Sequence, residues 1–190
     1  MPFESATDSR ALTCGNVQWE RIGPAAPALP HGLWTACGSA RFFNGGRRTW
    51  PLIEKNKPAD QASWASASPA SAAPTPSSIT LTQEFSVSAK NLYGVSVVMI
   101  RYRFVVQTGC RQGAPDQWID RCSVVPGGLD IALGWTVGMT AGLQEPREYE
   151  DAGAAIAVLP VRIDLTIETK LKRHEASQMH LVTPAGIFSV

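Results

Sequence analysis

From residue 79 onward, apolar and polar residues alternate with a period of two. Ile79, Leu81, Phe85 and Val87 alternate with Thr80, Thr82, Glu84, Ser86 and Ser88. Successive side chains on an extended strand point to opposite faces, so this pattern predicts a half-buried strand. Residues 95–107 predict a second, with Val98, Ile100, Tyr102, Phe104 and Val106 on one face. Its other face mixes Val97, Met99 and Val105 with Arg101 and Arg103. Residues 129–139 read as a third. Leu129, Ile131, Leu133, Trp135, Val137 and Met139 form one face, and the small residues Ala132, Gly134 and Gly138 lie on the other. Residues 161–171 read as a fourth, with Val161, Ile163, Leu165, Ile167 and Leu171 inward. A short fifth strand is expected over 186–190, paired with 180–182.

The region between these strands is less regular. Pro146 and Gly153 argue against a continuous helix over 142–159. An acidic loop over 145–151 and an apolar approach to the next strand is the expectation there. Residues 170–179 fit a helical turn or a charged hairpin end. Long strands joined by loops, without strand–helix–strand spacing, predict an all-β fold. The expected form is an antiparallel β-sandwich or jelly-roll-like barrel over 79–190, carrying a long irregular N-terminal arm.

That arm is residues 1–57. It is rich in Gly and Pro, and four of the six tryptophans fall at or before Trp64. A disordered tail is usually poor in aromatics. Trp19, Trp34 and Trp50 are therefore candidate interaction residues that dock on the β-domain or on another subunit. Strands around 17–22 and 41–43 are the arm's expected contributions to a sheet. Residues 58–78 are Pro, Ala and Ser with little else, which predicts an extended linker.

Bulk composition narrows the function classes. Hydrophobic residues make up 44% of the 190-residue chain and charged residues 17%. The first figure allows a core. The second falls below the roughly 25% usual for soluble domains, which suits a surface partly covered by a partner. Net charge is +1, with no polybasic footprint for nucleic acid. The start, Met1-Pro2-Phe3-Glu4, lacks the basic and apolar regions of a secretory signal. No apolar run reaches the roughly 20 residues of a membrane-spanning helix. Synthesis in the cytoplasm, with residence in an assembled particle, is the expectation.

Chemistry-bearing motifs are scarce. The chain has no G-x-S-x-G elbow, no P-loop and no G-x-G-x-x-G. His174 and His180 are spaced for neither a helix-face nor a strand-face metal site, so His31, His174 and His180 read as surface histidines. No cofactor, metal or catalytic residue is assigned, and no enzyme is expected. Cys14, Cys37, Cys110 and Cys122 include no C-x-x-C pair. Cys110 and Cys122 bracket eleven residues, a spacing that would let a disulfide close a hairpin loop. Free thiols are the alternative in a reducing compartment. Within that loop, Trp118 lies between Asp116 and Asp120. Two acids on one loop do not make a glycosidase pair, but a rigid tryptophan among polar groups suits an interface.

Two functional expectations follow. The first is a structural or assembly protein, a sandwich subunit of a virion-like or similar particle. Its arm would pack on neighbouring subunits, and its partners would be other protein chains. The second is a binding module for carbohydrate or a cell surface, or a small β-hairpin toxin, working through the Cys110–Cys122 loop. The core expected under either is Phe85, Ile100, Leu133, Trp135, Ile163 and Leu165.

Overall fold

The computed structural model describes residues 17–23, 35–39, 41–44, 48–59, 64–68, 78–110, 117–151 and 154–190. Among them are 14 strands and no helix. They form two antiparallel sheets, one curled into a half-barrel, and the fold is a β-sandwich.

The first sheet is built around three long strands, β7 (Ser78–Lys90), β8 (Ser96–Cys110) and β9 (Gln117–Ile131). The alternation places Val98, Ile100, Tyr102, Phe104 and Val106 of β8 inward, and all five are buried. Pro126 enters β9 without breaking the sheet because the register slips opposite Arg101, where Gly127 closes on the Arg101 carbonyl. Such irregularities are where a strand tolerates a residue with no N–H. The second sheet centres on β10 (Thr136–Leu143), β12 (Ala154–Glu168) and β13 (Arg173–Thr183), with β14 (Gly186–Ser189) beyond β13. Pro160 sits where β12 leaves β11 (Arg147–Asp151) and begins to pair with β10.

The N-terminal arm is part of both sheets. β1 (Val17–Ile22) pairs with β7, and β4 (Thr49–Glu54) pairs with β10. β2 (Thr35–Ser39) pairs with β11, and β3 (Arg41–Asn44) pairs with β6 (Trp64–Ser68). A two-residue β5 (Lys57–Pro58) turns back on β4. β6 falls inside the stretch whose composition predicts a linker. It is nevertheless a strand on β9, with Ala65 and Ala67 fully buried. Small side chains deny a segment a core of its own, but they let it lie close against one built by others.

Trp50, Leu52 and Ile53 of β4 are buried in the common core. Trp19 is partly buried there, edge-on to Tyr102 at 6.3 Å. Both tryptophans thus pack on their own chain. Trp34 lies outside the described residues, as do Cys14, His31 and Asp116.

Three further expectations are corrected. The third predicted strand is two strands and a turn: β9 ends at Ile131, β10 starts at Thr136, and Leu133 is fully exposed at the corner between them. Trp135 is only partly buried. Leu171, expected inward, stands 91% exposed in the turn between β12 and β13. The expected acidic loop is instead a hairpin, β11 paired with the start of β12. The remaining expected core, Phe85, Ile100, Ile163 and Leu165, is buried.

Candidate functional site

Of the proposed Cys110–Cys122 loop, residues 111–116 lie outside the described residues, and the remainder is strand rather than loop. Only 111–116 lie between β8 and β9, and from Gln117 onward the chain is strand. Cys110 faces Gln117, whereas Cys122 faces Val106. Four residues of strand between Val106 and Cys110 rise about 13 Å, beyond the roughly 7 Å that a bridge spans. Cys122 is a free thiol, fully buried, and burial pushes its pKa up to about 12. A buried protonated thiol is inert. Alkylation of the native protein followed by peptide mapping is expected to leave Cys122 unmodified, and unfolding in urea to expose it. Labelling of native Cys122 at the rate of a free thiol would refute this burial.

Trp118 is 2% exposed. Its indole lies across Gly109 on β8, so close that a Cβ there would collide with Nε1. The indole N–H donates to Asp120 Oδ1 at 2.5 Å. Gly109 thus leaves the floor on which the ring is laid, and Trp118 is a packing residue rather than an exposed recognition side chain.

The chemically richest cluster surrounds His180, which the sequence reading places on the surface. It is fully buried, boxed by the rings of Phe85 at 4.5 Å and Phe104 at 5.0 Å. Its Nε2 lies 2.9 Å from the Tyr102 hydroxyl and its Nδ1 lies 3.2 Å from Ser189 Oγ. Burial lowers its pKa to about 3 and raises that of Tyr102. Beside it, Arg21 donates to Gln83 Oε1 and to the Ile187 carbonyl, and Gln83 donates to the Ile22 carbonyl at 2.7 Å. A shallow cleft of about 180 Å³ opens here between β1 and β13, lined by Trp19, Arg21, Gln178, His180 and Ser189. An efficient general base has a pKa near the working pH, and an imidazole held near 3 is a poor acceptor for the Ser189 proton. What the network does well is satisfy a buried imidazole at both nitrogens, tying β13 to β8 and β14.

The sequence offers one signal for this cluster. His180 falls on the inward face of a strand whose neighbour Val182 is also inward, and an inward histidine must find partners.

The second candidate is one end of the sandwich. The register brings the 91–95 turn of β7–β8 and the 132–135 corner of β9–β10 to the same end. The 169–172 turn of β12–β13 and the 55–56 turn of β4–β5 join them. The tips are well-made turns. Asn91 Oδ1 accepts from the amides of Tyr93 and Val95, each at 3.0 Å. Thr169 Oγ1 accepts from those of Leu171 and Lys172. Asn56, at φ 67°, donates to the Trp135 carbonyl and accepts from the Val137 amide, joining two tips.

No family model matches the chain, and no curated protein or solved structure matches it either. Among the described residues, no group of His, Cys, Asp and Glu is arranged to hold a metal ion. Nor, among the described residues, is any helix long and apolar enough to cross a membrane.

Proposed function

We propose that this chain is a non-catalytic β-sandwich module that works by docking, and that it docks through the end where three hairpin tips and the β9–β10 corner gather. One observation carries the reading. Of the seven exposed large apolar residues among those described, five (Leu92, Tyr93, Val95, Leu133 and Leu171) stand in those tips. Single exposed apolar residues are ordinary on protein surfaces, whereas a gathered set marks an interaction site. This is the binding-module expectation moved to a different face, because Trp118 and Cys122 are internal.

The assembly-subunit reading, with a virion-like particle as its concrete form, is second. Its support is the low charge together with the strand edges of β1, β5 and β14, each of which has a single partner strand among the described residues. Open edges are templates for pairing with another chain. Its original support from the arm is reduced, since Trp19 and Trp50 pack in cis.

Sedimentation equilibrium on the full chain separates the two. The docking module is expected to stay monomeric as concentration rises. Oligomers that persist when Leu92, Leu133 and Leu171 are replaced by Ser would sink the docking reading and favour assembly through strand edges.

A further inference from the structure

We propose that the partner of the hairpin-tip end is an anionic lipid surface. Leu92, Tyr93, Leu133 and Leu171 enter the headgroup region, and Lys55, Lys57, Lys90, Lys170 and Lys172 face the lipid phosphates. The inference rests on the docking reading above and names the partner of that same face.

The first argument is what the tips are made of. Turns are served by Gly, Asn, Asp, Ser and Pro, each for a backbone reason. Here three of the four tips carry a leucine: Asn91-Leu92-Tyr93-Gly94, Ala132-Leu133-Gly134-Trp135 and Thr169-Lys170-Leu171-Lys172. Their leucines are 71%, 102% and 91% exposed, and Tyr93 is 90% exposed. Side chains so exposed contribute almost nothing to the fold that displays them. By contrast, the β13–β14 turn at the opposite end is Pro184-Ala185, with no large apolar group.

The second argument is charge. Within two residues of the four turns stand six basic residues, Lys55, Lys57, Lys90, Lys170, Lys172 and Arg173, against three acids, Glu54, Asp130 and Glu168. With Glu175, which pairs with Arg173, counted as a fourth acid, that end carries two net positive charges in a chain whose total is +1, leaving the rest of the chain net negative. Arg173 is held by Glu168 and Glu175. None of the five lysines takes part in an ion pair among the described residues.

Third, the combination suits lipid better than protein. The centre of a protein interface is depleted in lysine and packs its apolar groups into one contiguous patch. Here the apolar groups stand on separate projecting turns with lysines between them. A bilayer surface rewards both at once, through apolar burial at the headgroup boundary and attraction of flexible cationic side chains to anionic lipid. Tyrosine also favours that boundary, with its ring in the apolar layer and its hydroxyl in water.

Flotation of the full chain with vesicles tests this. One set contains phosphatidylserine in phosphatidylcholine and the other phosphatidylcholine alone. The chain is expected to float with the first set, to float poorly with the second, and to be released by added salt. The variant carrying Leu92→Ser, Leu133→Ser and Leu171→Ser is expected to lose about a hundred-fold or more in partitioning. The variant carrying Lys170→Gln and Lys172→Gln is expected to lose about 25-fold, at about five-fold per lysine. Thermal unfolding of both variants is expected to match the parent, because the altered side chains are exposed.

A monomeric chain that does not float with the anionic vesicles overturns the lipid inference and leaves the docking reading standing. So does flotation that the leucine variant retains. Oligomers that the leucine variant abolishes, without flotation, would assign the same face to a second copy of the chain and also overturn it.

Discussion

Replacing Leu165 by Ala is expected to lower the unfolding free energy by about 2–5 kcal/mol, while the same replacement at Leu133 changes it by about 0.5 kcal/mol or less. The alternation places these two leucines on equivalent inward faces, and the structure separates them. Leu165 is 1% exposed, in the middle of β12, opposite Met139 on one side and Ala176 on the other. Truncating it removes apolar burial and leaves a cavity that two flanking strands cannot close without moving. Leu133 has nothing around it to lose. Urea unfolding followed by tryptophan fluorescence measures both. Equal effects at the two sites would mean that the corner between β9 and β10 is drawn in the wrong place. Set against a typical domain stability of about 5–15 kcal/mol, the Leu165 effect is large.

Acid is expected to destabilise the protein through His180, beginning well above the range where carboxylates titrate. In the unfolded chain the imidazole takes a proton near its ordinary pKa of 6.5. In the folded chain, burial among Phe85, Phe104 and Tyr102 holds that pKa near 3. Between these values the unfolded state binds more protons, so stability rises with pH across the window. The contribution is complete above 6.5 and is lost as pH falls towards 3, roughly 4–5 kcal/mol in all. His174, whose pKa is also lowered by desolvation and by Lys172, adds a smaller effect of the same sign. Unfolding curves at pH 7, 6 and 5 would show the slope. His180→Gln is expected to be less stable at pH 7 and to show a flatter profile. A profile as steep in His180→Gln as in the parent would remove His180 as the cause.

Much of the fold is legible in local pattern. The inward faces of β8 and β12, and of β7 from Leu81 onward, follow from alternation, whereas Ile79, read on the same face, is 65% exposed. The all-β class follows from alternation too. The misreadings also have a physical cause. Both misplaced leucines lie in four-residue turns, 132–135 and 169–172. An even number of turn residues preserves the parity of the pattern. Leu129, Ile131, Val137 and Met139 therefore read as one continuous face although the chain bends between them. Trp118 misled for a different reason. Its polar neighbours suggest exposure, but the absence of a side chain at Gly109, on the paired strand, lets the indole lie flat and buried.

Which residues of β7, β8 and β12 face the core is legible without the fold, because the two-residue period is a property of the extended backbone alone; most of β9 and β13, which read as a recognition loop and a charged turn, is not. Tertiary packing set which strands meet. It set β4 against β10 and the alanines of β6 against β9, turned Trp19 and Trp50 onto their own chain, and enclosed His180 between Tyr102 and Ser189. It also carried Leu92, Tyr93, Leu133, Leu171 and five lysines, drawn from turns scattered between residues 55 and 172, to one end of the sandwich. Pairing of that kind is set by hydrogen bonding and packing between segments distant in sequence, and a local period carries no record of it.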